Sequence, residues 1–179
     1  MTTATSLYGQ SLYDLAAEEG LSEEILKQME AVNVIFKENP DYITLLLEPS
    51  IPRRERLGLL EEAFRDLLHP YLQNFLMILL ENNLLRGFGS CCRTFRESYN
   101  KDHGIEEATV TSAVELTDAQ VDSLRAKLEQ ISGKKVILRQ KVDGSVLGGL
   151  KVEIGGRLLD GTVMGRLADL RKKVSETVL

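Results

Sequence analysis

Four groups of side chains carry enough chemistry to suggest a reaction centre: a cysteine pair, two histidines, several acidic pairs and a run of glycines. Cys91 and Cys92 are adjacent within a helical pattern. Neighbouring side chains on a helix diverge by about 100°, so these thiols are poorly placed to bridge each other or to share one metal ion. A reduced pair with one thiol turned inward is expected. His69 and His103 stand beside helix ends, before Pro70 and Gly104. Neither has the Cys or carboxylate spacing of a zinc site, or the serine or cysteine motif of a nucleophile and its base. Glu18–Glu19, Glu61–Glu62 and Glu106–Glu107 are sequence neighbours, so each pair diverges and reads as solvated surface.

The glycines concentrate in Val142 to Val174, which holds seven of the fourteen. A phosphate-binding P-loop needs Lys and then Ser or Thr after its last glycine. Gly148-Gly149 is followed by Leu150-Lys151, and Gly161 by Thr162-Val163, so neither fits. The spacing of a dinucleotide fingerprint fails as well. What remains is glycine's conformational role. Leu150, Val152 and Ile154 alternate with Lys151 and Glu153, the period of a half-buried strand. Gly155-Gly156 supplies a tight hairpin, and Arg157 to Leu159 starts the return strand. Asp160-Gly161-Thr162 stops that strand and offers oxygens to cap a following helix. Gly148 and Gly149 complete this set of turn and cap residues. Val163, Leu167, Leu170 and Val174 then recur at helical spacing, with Arg166, Asp169, Lys173 and Glu176 on another face. No catalytic, metal-binding or cofactor-binding residue is expected.

The elements around these groups are legible from pattern. Leu7 to Glu19 predicts a helix capped by Ser6 and stopped by Gly20, with Tyr8, Leu12 and Leu15 in one stripe. Small Gly9 and Ser11 leave flanking positions where another helix can approach closely. Ser22 opens a second helix with Ile25, Met29, Val32 and Phe36 inward. Asp41 caps a short third helix through Leu47. Pro52 begins a fourth, where Leu57, Leu60, Phe64, Leu67 and Leu68 make the apolar face. Pro70 begins a fifth, broadly apolar through Leu72, Phe75, Leu76, Leu79 and Leu80. A sixth runs from about Ser90 to Lys101. From Ile105 the pattern turns to β, followed by a helix opened by a Thr117–Gln120 capping box with Leu116 and Val121 as staple. Lys135 to Val142 is a further strand. The fold expected is α+β: a six-helix all-α bundle over residues 1–104, then a small α/β domain with a mixed sheet and a last helix over 105–179.

Composition supports that division. The chain has 179 residues, of which 43% are hydrophobic and 27% charged. Its longest apolar run, Phe75 to Leu80, is far short of a membrane span. Met1 to Leu7 has neither a basic region nor a long apolar core, so no secretory signal is expected. Residues 1–132 carry 22 acidic and 12 basic side chains, whereas 133–179 carry 5 acidic and 10 basic. All ten aromatics lie at or before Tyr99. Two surfaces with different partners are implied. The basic C-terminal part invites an RNA-binding or ribosome-associated reading, but it lacks aromatics for base stacking, and a protein-binding face is the better expectation.

The whole chain resembles the delta subunit family of the F-type ATP synthase, called the oligomycin-sensitivity-conferring protein in mitochondria. The resemblance is carried by Leu147-Gly148-Gly149-Leu150-Lys151-Val152, Gly155, Leu158-Leu159-Asp160-Gly161-Thr162-Val163 and Arg166-Leu167. Asn74-Phe75-Leu76 with Leu79 and Leu80, and Tyr8 with Tyr13, Asp14 and Ala16, add to it. Leu84 departs from the family, in which many members carry arginine there. The resemblance implies a non-catalytic stator subunit that ties the catalytic head to the peripheral stalk. It implies a first domain that grips the N-terminal helices of the alpha subunits, through Tyr8, Leu12, Phe75, Leu76 and Leu79. It implies a second domain that holds the stalk's b subunits through Val163, Leu167, Leu170 and Val174. A place on the cytoplasmic face of a bacterial plasma membrane follows from it, with no membrane insertion and no nucleic acid.

Overall fold

The computed structural model describes residues 2–146 and 148–162, and these form seven α-helices and a four-stranded mixed sheet, an α+β architecture. The chain divides into two compact units, Met1–Asn100 and Lys101–Leu179.

In the first unit the helices are α1 (Thr2–Glu18), α2 (Ser22–Glu38), α3 (Pro40–Leu46), α4 (Arg53–Ala63), α5 (Pro70–Glu81) and α6 (Phe88–Asp102). Each turns its apolar stripe into one core. Ile25, Met29, Val32 and Phe36 recur along α2, and all four are buried. Phe36 lies at the aromatic centre, with Phe88 and Phe64 edge-on at ring separations of 5.4 and 6.0 Å. Gly20 ends α1 at a φ of +70°, and Leu21 then donates to the Ala16 carbonyl at 2.8 Å. At the start of α5, His69 acts as the cap. Its Nδ1 accepts the Tyr71 amide at 3.3 Å, while its own amide donates to Gln28 Oε1 at 2.7 Å.

Several boundaries differ from expectation. Helix α1 already runs from Thr2, which makes Ser6 an interior residue rather than a cap. Asn39 flanks α3 and Pro40 occupies its first turn, displacing Asp41 from the capping position. Helix α4 closes at Ala63. Phe64 still reaches the core from the turn beyond, but Leu67 is exposed, because Asp66 adopts a left-handed φ of +61° that no helix continues. Helix α6 begins at Phe88, directly after a one-turn 3-10 helix at Leu85–Gly87.

The second unit contains β1 (Ile105–Ser112), α7 (Asp118–Ser132), β2 (Lys135–Val142), β3 (Leu150–Ile154) and β4 (Arg157–Asp160), in the sheet order β2-β1-β3-β4. Strands β1 and β2 are parallel and α7 is their crossover; β3 runs antiparallel to both β1 and β4. The capping box forms as the sequence requires, with Gln120 Oε1 accepting the Thr117 amide at 3.0 Å. Ala108, Val110, Leu128, Val136 and Val152 are the core. No helix among the described residues is long and apolar enough to cross a membrane.

Candidate partner-binding surfaces

The residues expected to grip an external helix sit mostly inside the first unit. Leu12 on α1 and Phe75, Leu76 and Leu79 on α5 are all buried members of one core cluster. Tyr8 is half-buried and packs against that cluster. The stripe continues outward on α1, where Leu15 is 40% and Leu7 is 68% exposed. On α5 the half-buried side chains are Tyr71, Gln73, Met77 and Ile78. Sequence periodicity alone did not separate the floor of this region from its surface, because both belong to one helical stripe.

The close helix approach foreshadowed by Gly9 occurs within the unit. A Cβ at Gly9 would lie 2.6 Å from the Cys91 carbonyl oxygen, so α1 and α6 touch backbone to backbone there. The Cys91 thiol donates to the Thr5 carbonyl at 3.2 Å, Ser98 Oγ donates to Gln10 Oε1 at 2.6 Å, and Tyr13 meets Phe95 edge-on at 5.3 Å. Ser11 instead faces out and returns its hydroxyl to the Leu7 carbonyl. Polar ties join the other helices: Arg96 bridges to Glu30 at 2.6 Å, and Arg53 to Glu81 at 2.6 Å.

Groups with reactive potential are held in inert states. Both cysteines are free and buried. Burial pushes the Cys91 thiol up to about 11 and that of Cys92 up to about 12, far from the thiolate that nucleophilic chemistry requires. Glu106 and Glu107 diverge across the sheet, one toward Lys134 at 3.7 Å and the other toward Arg139 at 3.4 Å. Among the described residues no group of three His, Cys, Asp or Glu side chains is arranged to hold a metal.

In the second unit the glycine string builds turns. Gly148, Gly149, Gly155 and Gly156 all have positive φ. Gly149 packs so closely that an added Cβ would collide with the Gly161 carbonyl oxygen and lie 2.9 Å from Thr162 Cα. Gly161 donates its amide to the Leu150 carbonyl at 2.9 Å. Asp160 Oδ1 accepts the Thr162 amide at 2.9 Å and its hydroxyl at 2.7 Å, which holds the Asp160 carboxyl below the usual carboxylate range. Asp143 makes the same turn with Ser145. Val163, Leu167, Leu170 and Val174 lie outside the described residues.

An α+β chain with a helical unit, a sheet unit and inert thiols has the makings of an adhesive protein that joins two partners. Comparison with known proteins identifies it further. A family model described as the ATP synthase delta (OSCP) subunit matches residues 4–174, and the chain belongs to that family. It is 27% identical over 172 residues to ATP synthase subunit delta of Clostridioides difficile, covering 96% of this chain and 95% of that protein. It is 30% identical over 168 residues to the Halalkalibacterium halodurans subunit, covering 93% and 92%. A chain in the cryo-EM structure of the Toxoplasma gondii mitochondrial ATP synthase hexamer shares the fold, with a TM-score of 0.76 over 95% of this chain and 96% of that one at 20% identity. The family supplies a peripheral-stalk component of the F-type ATP synthase, and this membership favours the stator reading over the RNA-binding alternative.

Proposed function

We propose that this chain links the catalytic head to the peripheral stalk and resists rotor torque during ATP synthesis, contributing no active site of its own. The observation that carries the reading is a family match spanning residues 4–174, and therefore both units. Residues 1–104 act as a six-helix bundle that receives the N-terminal helices of alpha subunits. Tyr8 makes direct contact in this reading, with exposed Leu7 and Leu15 beside it, while Leu12, Phe75, Leu76 and Leu79 form the rigid floor beneath. An amphipathic helix laid on such a surface gains affinity by burying apolar area. Residues 105–179 hold the stalk's b subunits, with Val163, Leu167, Leu170 and Val174 as contacts. The chain then sits peripherally on the cytoplasmic face of a bacterial plasma membrane without inserting into it.

The test is reconstitution. Adding the full chain to membranes and a soluble ATPase head from which this subunit has been removed should restore proton-coupled ATP synthesis. Leu15→Glu should weaken head binding by about 10- to 100-fold, the range of a single interface anchor. Failure of the wild-type chain to bind the head, or salt-sensitive RNA binding in its place, would refute the proposal.

A further inference from the structure

The outer strand β2 carries an unpaired edge. In the order β2-β1-β3-β4 it has β1 on one side and, among the described residues, no strand on the other. Its register with β1 runs over all of Lys135 to Val142. The Lys135 amide donates to the Gly104 carbonyl at 3.0 Å, and the Asp143 amide to the Ser112 carbonyl at 2.9 Å. Backbone groups of alternate residues in a ladder point to the same side, so those of Val136, Leu138, Gln140 and Val142 point away from β1. Glu129 of α7 takes the first of these, its Oε1 accepting the Val136 amide at 3.0 Å. The other three outward amides meet no hydrogen-bond partner among the described residues. Such an edge is a template for one more strand.

The side chains decide what can be added. Strand β2 carries Lys135, Arg139 and Lys141 and no acidic residue. Arg139 reaches Glu107 of β1 at 3.4 Å, while Lys135 and Lys141 form no salt bridge among the described residues. Asp143 lies near Lys141, but its carboxylate is turned to the amide and hydroxyl of Ser145. Arg139 and Lys141 fall on the sheet face opposite α7, together with Ile137, which is 42% exposed. On the α7 face Val136 is buried, Leu138 is half-buried and Val142 is 54% exposed. A second copy of β2 would set these cations against one another, and like charges directly opposite destabilise a strand pair. An extended segment with acids opposite Arg139 and Lys141, and apolar residues opposite Leu138 and Val142, satisfies both faces at once.

We infer that the free edge of β2, from Leu138 to Val142, accepts an extended segment of a partner protein, with alternating acidic and apolar side chains, as a fifth strand. Glu129 sets where that pairing stops, because it already occupies the Val136 amide. Five residues span about 17 Å, so main-chain hydrogen bonds supply the affinity and the alternating side chains supply the choice of partner. None of these residues belongs to the surfaces assigned above to the head or the stalk, and the inference stands or falls apart from that reading.

A blocked peptide of alternating glutamate and valine, titrated into the full chain, tests this. Hydrogen exchange of the Leu138, Gln140 and Val142 amides should slow about tenfold at saturation, while the Val136 amide, already bonded, changes little. The same peptide with every amide N-methylated cannot pair and should not bind. Lys141→Glu should weaken binding about fivefold, the scale of one cross-strand charge pair. Val142→Pro removes an outward amide at an edge, where proline is tolerated, so it should weaken binding while the melting temperature holds. No binding of the unmethylated peptide, equal binding of the N-methylated one, or slowed exchange along β4 instead of β2 would overturn the inference. So would slowing that appears without peptide as protein concentration rises, which would mark a second copy on the edge.

Discussion

Replacing Gly9 with alanine isolates the contact on which the first unit's helix packing turns. The new Cβ would sit 2.6 Å from the Cys91 carbonyl oxygen and 2.9 Å from Cys91 Cα. Both are backbone atoms of α6, so no rotamer change relieves the clash, and the helices must part. Overpacking of this kind costs about 1–3 kcal/mol, and a backbone-to-backbone clash belongs at the upper end. Parting the helices also stretches the Cys91–Thr5 and Ser98–Gln10 hydrogen bonds and the Tyr13–Phe95 contact across the same seam. Against this, alanine in a helix interior gains about 1 kcal/mol over glycine. The net is a loss of about 2 kcal/mol.

Gly58 supplies the control, because it lies exposed in α4 with open space around its Cβ position. Gly58→Ala should gain about 1 kcal/mol. For a unit of this size 1 kcal/mol moves Tm by about 4–8 °C, so Gly9→Ala should melt about 10 °C lower and Gly58→Ala about 5 °C higher. Near-ultraviolet circular dichroism follows the first unit selectively, since all five tyrosines and five phenylalanines lie at or before Tyr99 and there is no tryptophan. A Gly9→Ala protein that melts at or above the Gly58→Ala protein would refute the close-packing argument.

Two further predictions rest on titration. The thiols of Cys91 and Cys92 are raised by burial, so a disulfide reagent at pH 8 should leave both unmodified in the native protein and react with both in denaturant. The same shift lowers stability as pH rises above the ordinary thiol range, because the unfolded chain then loses protons that the folded chain keeps; denaturant midpoints that do not fall toward pH 10 would count against it. The Asp160 carboxyl is lowered first by the Thr162 hydroxyl and then by its amide. Its contribution is present above the ordinary carboxylate range and is lost as pH falls through the folded value, so its carboxyl resonance should titrate below the usual Asp midpoint of about 3.9, and Thr162→Val should move it back up.

Elements were legible in the sequence where local chemistry decides structure. The Thr117–Gln120 box opens α7, Pro70 opens α5, and Gly155-Gly156 turns β3 into β4, because each depends on residues within one turn. The end of α4 was not legible. Phe64, Leu67 and Leu68 continue the helical period past Ala63, and nothing in the residues themselves announces the left-handed Asp66 that stops it. Exposure along a stripe was equally hidden. Leu12 and Leu15 are the same residue type on the same face of α1, yet only Leu12 is buried, because tertiary packing decides where a stripe leaves the core. Gly9 did signal a close approach, but the sequence could not say that the approaching helix was the chain's own α6.

The glycine-rich stretch draws these threads together. Its composition first suggests a phosphate loop, a role that requires glycines to open space for a ligand. Here the space at Gly149 is filled by the chain's own Gly161 and Thr162, so the residue serves an approach of backbone to backbone. That approach, the Gly161 amide bond and the Asp160 turn act on one short segment from three sides. Such convergence is unnecessary to close a hairpin, for which Gly155-Gly156 suffices. That convergence holds residues 160–162 against the start of β3, so the turn after β4 is set by contacts made within the sheet itself.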